Sequence, residues 1–227
     1  MWLKKISELF IRKMKKNNFS FDNKITSFDL IYICFLYSTR LIRGFIYHRK
    51  IIGRGKGCNI YKSSLGRGVN IGNNVILNGI GSGGLVIGDN VSIGDCSVFK
   101  VSGTFIDIGR FIHIGNNVGI GEFSHIGGAG GVKIGESTII GPYFSVHPEN
   151  HLFNDLNIPI RKQGVSQKGI NIGSNCWIGA KVTILDGVTI GDGCVIAAGS
   201  IVTKSFPDNV VIGGVPSKIL KKRNNEK

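Results

Sequence analysis

The sequence predicts an all-β protein whose chain winds into stacked parallel coils after a helical N-terminal segment. Three observations predict this class: a six-residue repeat, abundant glycine, and a first stretch of about fifty residues without the repeat. From about residue 70 an aliphatic residue recurs every six positions, most regularly from Ile172 to Val202. This period does not match the 3.6 residues per turn of an α-helix, but it matches a short strand followed by a turn.

The repeat also predicts which side chains point inward. Four positions after many of the aliphatic residues comes a small or β-branched residue, as Cys176 follows Ile172. Residues two apart on a strand share a face, so this residue and the next aliphatic residue both face the core. Three such sides close a coil of about 18 residues, which stacks Cys176 against Cys194. We interpret both cysteines as reduced core residues.

Composition and charge limit the possible classes. The chain of 227 residues has 34 glycines without a G-X-Y period, which excludes collagen, and 42% hydrophobic residues, which argues against disorder. The net charge of +14 is concentrated at the two ends. This placement favours an anionic membrane surface or anionic substrates, with plain solubility as the alternative. We expect no nucleic-acid partner.

The cysteines and the N-terminus indicate the compartment. The five cysteines show no metal-binding spacing, and an odd number without a secretory signal fits a reducing cytoplasm. We therefore expect no metal. The most apolar run, Phe28 to Tyr37, is far shorter than the ~20 residues of a membrane-spanning helix.

The chain divides into three parts. Residues 1–52 are predicted to form a segment with helices around Trp2–Lys15 and Asp29–His48, which either caps the first coil or lies at a membrane. Residues 53–217 form the coil domain, and residues 218–227 form a basic tail. The largest break in the repeat, between Val146 and Ile172, contains two histidines. A long loop on a regular solenoid is usually functional, so residues 147–171 are predicted to be an active-site loop.

Several motifs in this order carry a family resemblance. They are the repeats, the segment Asn175-Cys176-Trp177-Ile178-Gly179, and the ending Gly213-Gly214-Val215-Pro216-Ser217-Lys218. Together they resemble the hexapeptide-repeat acyltransferases, within them the sugar and polysaccharide O-acetyltransferases, over about residues 55–222. The resemblance implies a left-handed parallel β-helix, a homotrimer, and acyl-CoA bound between neighbouring subunits.

The resemblance also implies site residues. In this family the catalytic histidine falls about nine residues after a proline, and His151 lies nine residues after Pro142, whereas His147 lies five residues after it. We favour His151 as general base and keep His147 as the alternative. The residues expected to bind the cofactor are Ala180, Ala198, Thr203, Lys204, Lys218 and Lys221. Apart from the resemblance, Glu149 and Asp155 near the acceptor are candidates for orienting the imidazole, as is a backbone carbonyl, and His125 at a coil corner is a candidate for contact with the acceptor.

The predicted function is acetyl-CoA-dependent O-acetylation of a sugar in a cell-surface polysaccharide or its precursor, in the cytoplasm or at the inner face of the membrane. Residues 1–50 are expected to provide peripheral membrane contact. Two alternatives stay open. One is N-acyl transfer to an amino sugar. The other is a γ-type carbonic anhydrase, which needs three histidines on zinc, drawn from His113 or His125 with His147 and His151.

Overall fold

The computed structural model describes residues 2–15, 20–22, 24–104 and 106–224, and most of them form one long parallel coil. Two helices precede the coil: α1 Trp2–Lys15 and α2 Ser27–His48.

Three parallel sheets form the sides of the coil. Sheet A contains β1 Gly53–Arg54, β4 Asn70–Ile71, β7 Ser92–Ile93, β10 Gly119–Ile120, β13 Ile139–Ile140, β18 Trp177–Ile178, β21 Val195–Ile196, β23 Val210–Gly213 and β24 Lys218–Lys222. Sheet B contains β2 Asn59–Tyr61, β5 Ile76–Asn78, β8 Val98–Lys100, β11 His125–Gly127, β14 Ser145–His147, β19 Thr183–Leu185 and β22 Ile201–Val202. Sheet C contains β3 Ser63–Leu65, β6 Gly84–Ile87, β9 Phe111–Ile114, β12 Val132–Ile134, β17 Ile170–Ile172 and β20 Thr189–Ile190.

The coil is a left-handed parallel β-helix, as the resemblance implied. Each strand pairs with the strand one coil away, so Ile178 pairs with Ile196. Corner residues extend the same ladder, because Gly141 N donates to Ile178 O at 2.8 Å. Every coil therefore satisfies much of its backbone through its neighbours, which is how short strands of two or three residues remain ordered.

Inward residues build one continuous core. Ile126, Ile178 and Ile184 are fully buried, and Cys176 and Cys194 lie among them as free thiols. Burial raises the pKa of Cys176 to about 11 and raises that of Cys194, so both stay protonated at neutral pH. The prediction that both cysteines lie in the core is confirmed. Ile108, which lies six residues before Ile114 and so fits the repeat, is half exposed, because it belongs to an insertion between β8 and β9.

The insertions in the repeat all leave the coil at one corner. In the regular C-terminal part, β19 is followed by β20 after three residues, 186–188. At the same corner, residues 79–83, 101–110, 128–131 and 148–169 separate β5 from β6, β8 from β9, β11 from β12 and β14 from β17. The irregular segments therefore gather along the edge between sheets B and C, and we call this edge the loop corner.

Both predicted N-terminal helices are present. Thr26 and Asp29 form a capping box that starts α2. The second half of α2 packs beside the first coils: Gly44 contacts Ile52, and Arg43 Nε donates to Arg54 O at 2.9 Å. At the other end, residues 218–222 of the segment predicted to be a tail form β24, which pairs antiparallel with β23.

Among the described residues, α2 is the one helix whose length and apolar composition would suffice to cross a membrane. The ten-residue run Phe28 to Tyr37 underestimated the apolar length of α2, since a stretch of 18 residues within this 22-residue helix is apolar enough to span a membrane. Only 11% of its most apolar window is buried. A single helix of this kind near an N-terminus is weak evidence for a membrane span.

Candidate active site

The long loop leaves the coil after β14 and returns at β17. Within it, β15 Asn150–His151 and β16 Val165–Ser166 pair antiparallel, and a 3-10 turn covers Ile160–Lys162. The returning strand is held by Asp186, whose buried carboxylate accepts hydrogen bonds from Lys168 N at 2.9 Å and Gly169 N at 2.8 Å. Gln167 Nε2 donates to Glu149 at 3.4 Å and to Asp107 at 3.3 Å, which links this loop to the insertion before it.

Two histidines meet at the base of the loop, on the outer face of sheet B. Parallel pairing sets His125 opposite Ser145, two residues before His147. The rings of His125 and His147 stack with centroids 5.7 Å apart and an interplanar angle of 16°. Ser145 Oγ lies 2.6 Å from His147 Nε2, so a hydroxyl fixes the orientation of this imidazole.

The environment of this pair affects its protonation. Burial lowers the pKa of His125, and the positive charges of His147 and Lys100 lower it further. His125 is therefore neutral at pH 7. Because the His125 imidazole is neutral, it adds no positive charge beside His147 and Lys100.

His151 has a different setting. It lies on β15 opposite Val165 and is exposed. Within the described part of the chain its ring makes no hydrogen bond to another side chain. The structure therefore brings His147 and His125 together, whereas His151 lies on the next strand, β15, within the loop.

The two candidate orienting carboxylates have other partners. Glu149 accepts from Gln167, and Asp155 Oδ1 accepts from Asn157 N at 2.9 Å within its own turn. Gln163 holds the backbone of the same turn through Asp155 N and O. Among the described residues, neither carboxylate is hydrogen bonded to a histidine, so the orienting group found at His147 is Ser145.

Of the residues expected to bind the cofactor, Thr203 and Lys204 follow β22 of sheet B, whereas Ala180 and Ala198 occupy a different corner, between sheets A and B. Gly141, Gly179 and the small residues Ala180 and Ala198 stack there, and a methyl group added at Gly179 would lie 2.8 Å from Ala198 Cα. Side chains are small at Ala180 and Ala198, whereas Phe123, Tyr143 and Lys181 lie further along the same corner. Thr203, Lys204, Lys218 and Lys221 are exposed, and Lys204 Nζ lies 5.8 Å from the centre of the Phe206 ring. Lys218 and Lys221 lie on β24.

Comparisons with known proteins agree with this architecture. A family model described as bacterial transferase hexapeptide (six repeats) matches residues 169–204. Residues 169–204 therefore carry the repeats that this family model describes. It is 36% identical over 122 residues to a putative lipopolysaccharide biosynthesis O-acetyl transferase of Escherichia coli, covering 51% of this chain and 62% of that protein. It is 40% identical over 126 residues to the galactoside O-acetyltransferase of Escherichia coli, covering 53% and 59%.

A solved structure extends the comparison. AntD, an N-acyltransferase from Bacillus cereus crystallised with dTDP-4-amino-4,6-dideoxyglucose and coenzyme A, superimposes with a TM-score of 0.60 at 25% identity, covering 71% of this chain and 84% of that one. The chain spans less than two thirds of the length of the two curated relatives above.

Sequence reasoning missed three residues at the loop. Ser145 and Gln167 carry no motif: Ser145 contacts His147 on its own strand, and the partners of Gln167 lie in the loop and in the insertion before β9. Asp186 did leave a signal, because it follows Lys168 by one coil length of 18 residues. The coil register therefore predicts their contact once the loop is known to return before Lys168.

Proposed function

We propose that the protein is an acetyl-CoA-dependent O-acetyltransferase that acts on a hydroxyl of a sugar in a cell-surface polysaccharide or its precursor. The observation that carries the proposal is the histidine-bearing loop, which leaves a hexapeptide coil directly beside the oriented His147–Ser145 pair. The O-acetyltransferase relatives and the coenzyme A in the AntD complex support the reaction class.

The chemistry needs one base of near-neutral pKa. An imidazole takes the proton from the acceptor hydroxyl as its oxygen attacks the thioester carbonyl. The tetrahedral intermediate then collapses: the C–S bond breaks, and the imidazolium returns the proton to the leaving thiolate of coenzyme A. The products are the acetyl ester and free coenzyme A, and no covalent enzyme intermediate is required.

Two histidines compete for this role. The spacing from Pro142 favours His151, and we retain it as the proposed base. The geometry within one chain favours His147: if Ser145 Oγ accepts the Nε2 proton, Nδ1 is left as the proton acceptor. The experiment below separates the two.

Acetyl-CoA is proposed to bind as co-substrate along the corner of small residues. Ala180 and Ala198 leave room for a pantetheine arm beside the backbone, while Thr203 and Lys204 follow on the next side of the coil. Lys218 and Lys221 offer charges to the phosphates.

Purified protein incubated with acetyl-CoA and surface-glycan sugars should release coenzyme A in an acceptor-dependent manner, measured as free thiol. His151→Ala should lower this rate by about 10²-fold or more, the effect of removing a general base. If His147→Ala alone has that effect, the base is His147. Absence of turnover and of acetyl-CoA binding, with zinc in the purified protein, would establish the anhydrase alternative.

N-acyl transfer is a second candidate, because the AntD complex contains an amino sugar nucleotide. Both reactions use the same base on the same thioester. Paired acceptors that differ only in a hydroxyl or an amine at one carbon decide between them, and faster coenzyme A release with the amine would replace O-acetylation by N-acylation.

We also propose a homotrimer, as the family resemblance implies. Light scattering should give three times the mass of the chain. A monomer that turns over acetyl-CoA would contradict a site built between subunits.

We propose that the protein works in the cytoplasm, at the inner face of the membrane. Phe28, Ile31, Tyr32 and Phe35 lie at helical spacing on α2 and are more than half exposed, so they form an apolar stripe. Exposed Lys5 and Lys24 lie on the same N-terminal segment and suit anionic lipid. Wild-type protein should sediment with phosphatidylserine vesicles and Phe35→Ser should bind less. Equal binding would contradict membrane contact through the stripe, and loss of trimer mass in Phe35→Ser would assign the stripe to subunit contacts instead.

A further inference from the structure

A cavity of about 220 Å³ opens on the outer face of sheet C, at the loop corner. Glycines line much of it, and Gly131, Gly169 and Gly187 adopt φ angles of 91°, 91° and 81°. A methyl group added at Gly131 would lie 2.8 Å from the Phe111 ring. Both the backbone conformation at Gly131 and the nearby Phe111 ring require glycine at this position, so the cavity is a fixed part of the coil structure.

Two cations border this cavity. Arg110 comes from the insertion before β9, and Lys168 comes from the return of the long loop. None of the described residues that line the cavity is acidic, and neither cation forms an ion pair within the described ranges. The nearby carboxylate of Asp186 is occupied by backbone N–H groups. Two cations of this kind beside one cavity favour an oxyanion ligand.

The other walls suit a sugar ring. Phe111 provides an aromatic surface, Asn171 an amide and Thr189 a hydroxyl. Gly130 approaches the carbonyl oxygen of Pro148 so closely that no side chain fits between them. Since Pro148 follows His147, the cavity adjoins the base of the histidine-bearing loop.

We infer that this cavity binds an acidic sugar unit of the acceptor, with its carboxylate held by Arg110 and Lys168 and its ring against Phe111. The inference rests on the proposed function, since it assigns a substrate class to the same site. It makes the acceptor an anionic glycan, in which a hexuronic acid unit lies next to the sugar that is acetylated.

Binding of glucuronate and of glucose to the full-length protein, measured by ligand-observed saturation-transfer NMR without acetyl-CoA, tests the inference. Glucuronate should bind more tightly than glucose. Arg110→Gln and Lys168→Gln should each weaken glucuronate binding by about 10-fold or more, the effect of losing a hydrogen bond to a charged group. Lys133→Gln is the matched control, because Lys133 is an exposed cation of sheet C that does not line the cavity.

Coenzyme A and inorganic phosphate are tested in parallel. If the two variants weaken coenzyme A or phosphate but not glucuronate, the cavity holds a phosphate of the co-substrate and the inference is wrong. Undetectable glucuronate binding, or equal weakening by Lys133→Gln, also overturns it. Because no turnover is measured, these results stand apart from those that test acetyl transfer.

Discussion

The coils around residues 172–202 and the coils between residues 98 and 172 differ in how closely they keep the six-residue period. Trp177 pairs with Val195, one regular coil of 18 residues later (195 − 177). Ser92 pairs with Gly119 after 27 residues (119 − 92), and Ile139 pairs with Trp177 after 38 (177 − 139).

This difference separates scaffold from site. The pairing of inward residues is the same in both regions, so the extra residues do not disturb the core. They leave the coil at one corner, where the histidine pair, the loop and the cavity lie within a few strands of one another. A regular solenoid offers a rigid edge, and irregular segments placed on that edge position the functional groups.

The largest expected effect distinguishes the core from the loop. Ile184 is fully buried, whereas Ile158 in the loop is 44% exposed. Ile184→Ala should lower the free energy of unfolding by about 2–5 kcal/mol, because it leaves a cavity between stacked coils. Ile158→Ala should change it by less than about 0.5 kcal/mol. Urea unfolding followed by circular dichroism checks both values, and a comparable loss in the two variants would show that the loop belongs to the core.

A smaller effect distinguishes two carboxylates with the same geometry. Asp186 and Asp192 each accept a hydrogen bond from a backbone N–H 18 residues earlier, at Lys168 and Ser174. Asp186→Ala leaves two part-buried N–H groups unpaired at the loop return and should cost about 1–3 kcal/mol. Limited proteolysis should then cut residues 149–168 faster. In Asp192→Ala the cleavage rate in the loop should equal that of wild type. Faster cleavage in both variants would show that Asp186 does not hold the loop return more than Asp192 does.

The regular part of the fold was predictable, and the site only partly. Inward positions such as Ile178 follow from spacing alone, because a strand period of two and a coil of three sides leave one solution. Corner residues such as Asn175, with φ of 54°, can be predicted from residue type, because asparagine tolerates a positive φ angle. Contacts made by insertions have no period. His125 stacks on His147 because the coil between their strands is two residues longer than a regular coil. The repeats alone do not encode this register.

A still smaller effect concerns the corners. Phe123 and Tyr143 adopt positive φ angles of 56° and 59°, which bulky residues rarely do, and their rings stack 5.1 Å apart. Tyr143→Asn should change the free energy of unfolding by less than about 1 kcal/mol, because relief of strain offsets the lost stacking. Asn175→Phe places an unstacked ring at the same kind of corner and should cost about 1 kcal/mol or more. Equal losses in the two variants would show that stacking does not offset the strain.

The smallest effect is a pH dependence of stability to which the site contributes through His125. The pKa of His125 in the folded protein lies below its ordinary value of 6.5, chiefly through burial. As pH falls below 6.5, the unfolded chain takes up this proton first, so the contribution of His125 to stability is present above that pH. The contribution is lost as pH falls through the folded pKa.

Thermal unfolding at pH 7 and pH 5 should show a loss of stability for wild type that is smaller in His125→Gln. His48, whose pKa is lowered mainly by burial, contributes in the same direction, so His48→Gln should flatten the profile independently. A profile unchanged by His125→Gln would mean that the stacked pair is open enough to water for His125 to take up its proton without cost.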